Sequence, residues 1–118
     1  MFEIRADIPY QHIAFDHGIV VSVKRIDLVH PHIAGNKFYK LKYNLQAARE
    51  QGKTLLISFG GAYSNHIHAL AYAAHEYGIQ ALGITRWQDL AEHPLNPTLH
   101  VACALGLPQQ VIVGDDYR

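Results

Sequence analysis

From Asn36 to Val113 the chain repeats one pattern: a stretch at helical spacing, a glycine, then a short run rich in aliphatic and β-branched residues. Phe38, Leu41, Leu45 and Ala48 set the first helical stripe, with Asn36 as the expected N-cap and Gly52 as the stop. Thr54 to Phe59 then forms a continuous apolar run closed by Gly60-Gly61, the signature of a strand buried on both faces of a parallel sheet. Ile67, Leu70, Ala71 and Ala74 mark a second helix that stops near Gly78, and Ala81 to Thr85 a second strand. Asn96-Pro97 opens a third helix in the order expected of a cap and a first-turn proline; Gly106 closes it, and Gln110 to Val113 follows as a strand. Such an alternation fixes the fold class as α/β, a mostly parallel open sheet with flanking helices and right-handed crossovers.

Residues 1–34 do not share the pattern. Ile19 to Lys24 is a strand candidate by its β-branched content, and His30-Pro31-His32 with Ala34-Gly35 reads as a loop. With no partner for this segment, and little chain after the third strand, the sequence is expected to be one part of a larger protein.

Composition narrows the functional classes. Ten basic residues balance ten acidic ones, so the broad positive patch of a nucleic-acid binder is missing. Charged residues such as Arg5, Asp7 and Lys24 interrupt the first thirty positions, which fits neither a membrane span nor a secretory leader. A single cysteine, Cys103, fits a reducing, cytoplasmic setting, and its apolar helix makes it a buried small hydrophobe. Among nine histidines the closest pairs are His30-x-His32, in a loop, and His66-x-His68, whose spacing diverges on a helix; no cysteine cluster or His-Glu-x-x-His accompanies them, so no metal site is expected. His68, Tyr72 and His75 form a stripe on the second helix that reads as a polar or interface face.

Two places could carry chemistry. Gly35-Asn36-Lys37 puts a lysine at a helix start, where the dipole favours the neutral amine that a carbonyl addition needs. Lys40 and Lys42 compete for that role from further along the helix, and a solvated first-turn lysine is the plain alternative. Gly60-Gly61-Ala62-Tyr63-Ser64-Asn65-His66 follows a strand and opens a helix, at the carboxyl ends of the sheet where α/β proteins bind ligands. Its backbone amides suit an anion, while Ser64, Asn65 and His66 offer a hydroxyl, an amide and an imidazole; Ser64 or Asn65 as a simple helix cap is equally open. The loop lacks the lysine of a Walker motif and the third glycine of a dinucleotide fingerprint.

Taken in order, Val23-Lys24-Arg25 through His30-Pro31, Gly35-Asn36-Lys37 with Lys40-Leu41-x-Tyr43, and Gly60 to His66 resemble one family. It is the 1-aminocyclopropane-1-carboxylate deaminase/D-cysteine desulfhydrase group of fold-type II pyridoxal 5'-phosphate (PLP) enzymes, relatives of the tryptophan synthase β chain. The resemblance implies that Lys37 carries the cofactor covalently and that Asn65 bonds its ring oxygen. Ser64 would contact the substrate carboxylate and act as acid/base or nucleophile, with His66 completing the carboxylate pocket. It implies a small amino acid as substrate, release of ammonia and a 2-oxo acid, and a homodimer in the full-length form. Residues 1–35 would belong to a larger PLP domain and 36–118 to a small α/β domain. The phosphate loop and the partner of the pyridine nitrogen would come later in the chain, so these 118 residues alone are expected to be weakly active or inactive. Two departures stand out: Arg25-Ile26-Asp27 where relatives usually carry Arg-Asp-Asp, and Phe38-Tyr39 where they often carry an aromatic and then arginine. The reading from another class is a non-catalytic α/β module, either a truncated gene product or a domain that binds a small anion at the Gly60-Gly61 loop.

Overall fold

A computed structural model describes residues 7–86 and 94–112. Strands β1 (Tyr10–Ala14) and β2 (Val20–Lys24) pair antiparallel, and the remaining elements alternate: α1 (Asn36–Glu50), β3 (Leu55–Gly61), α2 (Asn65–Tyr77), β4 (Gln80–Arg86), α3 (Pro97–Ala104) and β5 (Gln109–Ile112). The second sheet has the order β3-β4-β5 and is parallel throughout, with Leu55 opposite Gln80 and Gly83 opposite Gln109. The expected α/β class is therefore the observed one, with each element from residue 36 onward near its expected place.

The core lies between the helices and the inner face of this sheet. Phe38, Leu41 and Leu45 of α1, Ile67 and Leu70 of α2, and Leu99 and Ala102 of α3 are buried together. Val29 and Ile33, from the loop before α1, enter the same core at 2% and 0% exposure. Small residues make the approach possible: Ala69, Ala71, Ala73 and Ala74 let α2 sit close to its neighbours.

Three sequence expectations need correction. β3 is not buried on both faces: Leu56, Ser58 and Gly60 turn toward the helices, while Leu55, Ile57 and Phe59 are 46%, 55% and 55% exposed. A continuous apolar run announces two faces to cover, and among the described residues the helices cover one. Asn36 is not the cap of α1; Gly35 is, with φ 63° and ψ −144° and no side-chain capping bond. Cys103 is exposed. Leu99 and Ala102, three apart, hold the buried face of α3, and the next residue falls outside it.

The hairpin was half legible. β2 occupies nearly the expected stretch, but its partner β1 had no recognisable alternation, and every residue of both strands is exposed. It is held at its ends by Phe15 N–H to the Ile19 carbonyl (2.8 Å) and Arg25 N–H to the Pro9 carbonyl (2.9 Å). Arg25 also clasps Asp27 through Nε (2.9 Å) and donates from Nη1 to Gln11 Oε1 (2.9 Å), fastening β1 to the segment that leads to α1. The Arg25 hydrogen bond holds the Asp27 carboxyl below its ordinary range. Ile26, between them, is exposed at 37%.

Candidate functional site

The site is built where α1 and α2 begin. Ahead of α1, Gly35 N–H donates to the Ile26 carbonyl at 3.0 Å, and the left-handed φ of Gly35 turns the chain into the helix. Lys37 follows in the first turn, half-buried, with its Nζ donating to Asn36 Oδ1 at 3.1 Å. The asparagine thus holds the lysine head instead of capping the helix. Of the competing lysines, Lys40 is exposed, and Lys42 lies 5.8 Å from the centre of the Tyr43 ring.

The loop before α1 is itself anchored on α2. His30 Nε2 lies 3.4 Å from Glu76 Oε2, and His30 Nδ1 accepts the backbone N–H groups of His32 (3.2 Å) and Ile33 (3.0 Å). The His32 ring stacks on Tyr72 at 4.2 Å, and His68 packs against the same tyrosine at 4.9 Å. The stripe of His68 and Tyr72 is therefore an internal contact surface for this loop. Among the described residues no three of His, Cys, Asp and Glu converge as metal ligands would.

At the second start, β3 runs through Gly60 and Gly61 before the chain turns. Neither glycine has a positive φ. Gly60 is required by packing: a Cβ there would lie 2.6 Å from Ile67 Cγ1 and 2.8 Å from Ser64 Oγ. The turn closes with Ser64 N–H to the Gly61 carbonyl at 3.0 Å. Ser64 caps α2, its Oγ accepting from the N–H of His66 (3.2 Å) and Ile67 (3.4 Å). Both lone pairs of that hydroxyl are thereby engaged, which leaves its O–H as a donor. The cap and the ligand contact are compatible, but Ser64 is set up to donate and not to take a proton. It also takes up two of the helix-start amides that the sequence had offered to an anion.

Asn65 begins the helix with an exposed side chain, and His66 is half-buried, its Nε2 2.8 Å from Ser58 Oγ. Burial first, and then the charges of Lys37 and Lys40, push the His66 imidazole below its ordinary range. A short turn joins α1 to β3, and α2 leaves from the carboxyl end of that strand, so α1 and α2 begin at the same end of the fold, which holds Lys37, Ser64, Asn65 and His66.

Two supporting residues were not singled out for the site by the sequence. Ser58 interrupts the apolar run of β3, and a lone hydroxyl in such a run was the available signal. Asn96, expected only as the cap of α3, does cap it through Oδ1 to Leu99 N–H (3.0 Å). It also donates from Nδ2 to the Ala62 carbonyl at 2.8 Å, bracing the Gly60–Ser64 turn from 34 residues away. No local pattern could announce that second bond. A separate hollow of about 570 Å³, lined by Arg49, Lys53, Thr54, Tyr77 and Gln80, lies at the opposite end, where α1 and α2 finish.

No family model matches the chain. It is 34% identical over 102 residues to a protein of Thermotoga maritima provisionally named 1-aminocyclopropane-1-carboxylate deaminase, an alignment covering 86% of this chain and 32% of the relative. A Pyrococcus abyssi protein of the same provisional name is 38% identical over 73 residues, covering 62% of this chain and 22% of the relative. A crystal structure described as that of an ACC deaminase homologue superposes with a TM-score of 0.81 at 28% identity, covering 96% of this chain and 34% of that one. The chain spans about a third of the length of the T. maritima relative and of this solved structure.

Proposed function

Starting from a chain homologous to proteins named 1-aminocyclopropane-1-carboxylate deaminase, in sequence and in fold, we propose that it forms part of a PLP-dependent deaminase or desulfhydrase. The substrate would be a small amino acid of the D-cysteine or 1-aminocyclopropane-1-carboxylate type, and the products ammonia and a 2-oxo acid. One observation carries the reading: α1 and α2 pack in one core and begin at the same end of the fold, so Lys37 stands at the end that also holds the loop that would receive a carboxylate.

The donor set suits the aldehyde end of PLP. A half-buried primary amine stands with an exposed amide, a donor hydroxyl and an imidazole held toward its neutral form. Bound there, PLP would supply the electron sink for breaking a bond at or near the amino acid's Cα. Lys37 would hold the cofactor through Nζ and serve as a base beside the amino acid's Cα. Asn36 Oδ1 restrains the Lys37 head. Asn65 would orient the cofactor ring, while Ser64 and His66 bind and orient the substrate carboxylate. Gly60 and Asn96 hold the turn that aims them.

The exposed hairpin supports assigning residues 1–35 to a larger domain and 36–118 to a smaller one, with Val29 and Ile33 at the crossing. The isolated chain would be weakly active or inactive, the full-length form a cytoplasmic homodimer; among the described residues no helix is long and apolar enough to cross a membrane. The test is addition of PLP, borohydride reduction and peptide mass analysis, on this chain and on a full-length form. Mass is expected on Lys37 and not in Lys37→Ala. No adduct in either form would leave the anion-binding module as the better account.

A further inference from the structure

Building on that reading of the site, we infer that Ser58 is a positioning residue whose hydroxyl keeps the His66 proton on Nδ1, so that the imidazole meets a carboxylate as a donor. Ser58 lies on the inner face of β3 between Leu56 and Gly60, and its Oγ is 2.8 Å from His66 Nε2. With Nε2 engaged, Nδ1 is the ring nitrogen left for a ligand. Burial and the charges of Lys37 and Lys40 oppose an imidazolium, so the ring has one proton to place. If Nε2 carried it, the ring would present a bare lone pair to the carboxylate, and two acceptors would face each other. A serine hydroxyl can donate to Nε2, which fixes the other tautomer and leaves Nδ1–H to bind the anion. Ser64 is locked as a donor by the two amides it caps, so Ser64 O–H and His66 Nδ1–H form a matched pair for the two oxygens of one carboxylate. The motifs do not announce this role of Ser58, because the strand and the helix supply the two partners from eight residues apart.

The imidazole nitrogen shifts of His66 in ¹⁵N-labelled protein, read at about pH 7.5 where an ordinary histidine is neutral, test this directly. Wild type and Ser58→Thr are expected to show a protonated Nδ1 and an acceptor Nε2, and Ser58→Ala to move the proton to Nε2. Titration with glycine, as the smallest amino-acid carboxylate, is expected to weaken roughly tenfold in Ser58→Ala, the size of one charge-assisted hydrogen bond, and to recover in Ser58→Thr. Should Ser58→Ala unfold, Ser58→Cys keeps the volume with a weaker donor and is expected to shift the tautomer in the same direction. A proton on Nε2 in wild type, or a tautomer unmoved by either variant, overturns the inference. The PLP adduct at Lys37 is scored separately. Its absence beside an Nδ1-protonated His66 sinks the cofactor reading alone, and its presence beside an Nε2-protonated ring sinks this one alone.

Discussion

The two helix starts that make the site are built on opposite plans. α1 begins on a backbone conformation: Gly35, at φ 63°, caps it without a side-chain bond, and a Cβ there would meet nothing within 4 Å. α2 begins on side chains: Ser64 caps it, Gly60 leaves room for the serine, Ser58 engages His66, and Asn96 reaches across to the Ala62 carbonyl. The arrangement matches the work each would do. A residue that must exchange a covalent link needs room around its head, whereas a carboxylate receiver works best when its donors are already in place. Side-chain restraints are concentrated at the start that would bind and are sparse at the start that would react.

Substitutions can sharpen that contrast or break it. Gly60→Ala should cost the most, about 3 kcal/mol, because its Cβ collides with buried Ile67 and with the capping serine together. Urea midpoints and the amide shifts of His66 and Ile67 would report both losses. Asn96→Ala should follow at about 2 kcal/mol, combining a lost helix cap with an unsatisfied Ala62 carbonyl, and Asn96→Asp should restore only the cap. Gly35→Ala should cost about 2 kcal/mol, the strain of φ 63° with ψ −144°, a combination that glycine alone adopts readily, with no tertiary contact added. A Gly35→Ala penalty above that of Gly60→Ala would invert the comparison and place the rigid start at α1.

The smallest effect is a slope with pH. His66 and His68 both titrate below the ordinary imidazole range, His66 through burial and its lysines, His68 through burial and His32. The unfolded chain then binds more protons than the folded one just below about pH 6.5. Stability should therefore be full above that pH and decline as acid drives the pH down through the folded values. Denaturant midpoints measured from about pH 8 to pH 5 would show the slope, and His66→Gln should remove only its own share. A slope unchanged in that variant would mean that His66 is more hydrated than its seat between Ser58 and the lysines implies.

These contrasts explain what the sequence could reveal. Local pattern was enough for the alternation from Asn36, for the Asn96-Pro97 start and for the stop at Gly78, because periodicity and end signals are read within a few residues. It was enough to nominate Lys37, Ser64, Asn65 and His66, which lie in two short motifs. It misplaced the α1 cap, since Asn36 and Gly35 are both good helix-start residues and only the φ at Gly35 decides between them. It buried Cys103 because an unbroken apolar run hides which side of α3 faces the core. Ser58 as the partner of His66 and Asn96 as a brace depend on the packing of separate elements, and no spacing encodes that. The exposed β1 had little pattern to read, because no core imposes one on it.

Gly60 has a consequence for how this sequence can drift. Position 60 is closed from two directions, by Ile67 from the core and by Ser64 from the site. Trimming Ile67 opens a cavity in the interior, and trimming Ser64 removes the cap, so no single second change makes room for a side chain. A library randomised at 60, 64 and 67 together should return glycine at 60 under selection for binding. Under selection for folding alone it should admit alanine once both neighbours shrink. The demands of the fold and of the site can thus be separated, though only by changing three residues at once.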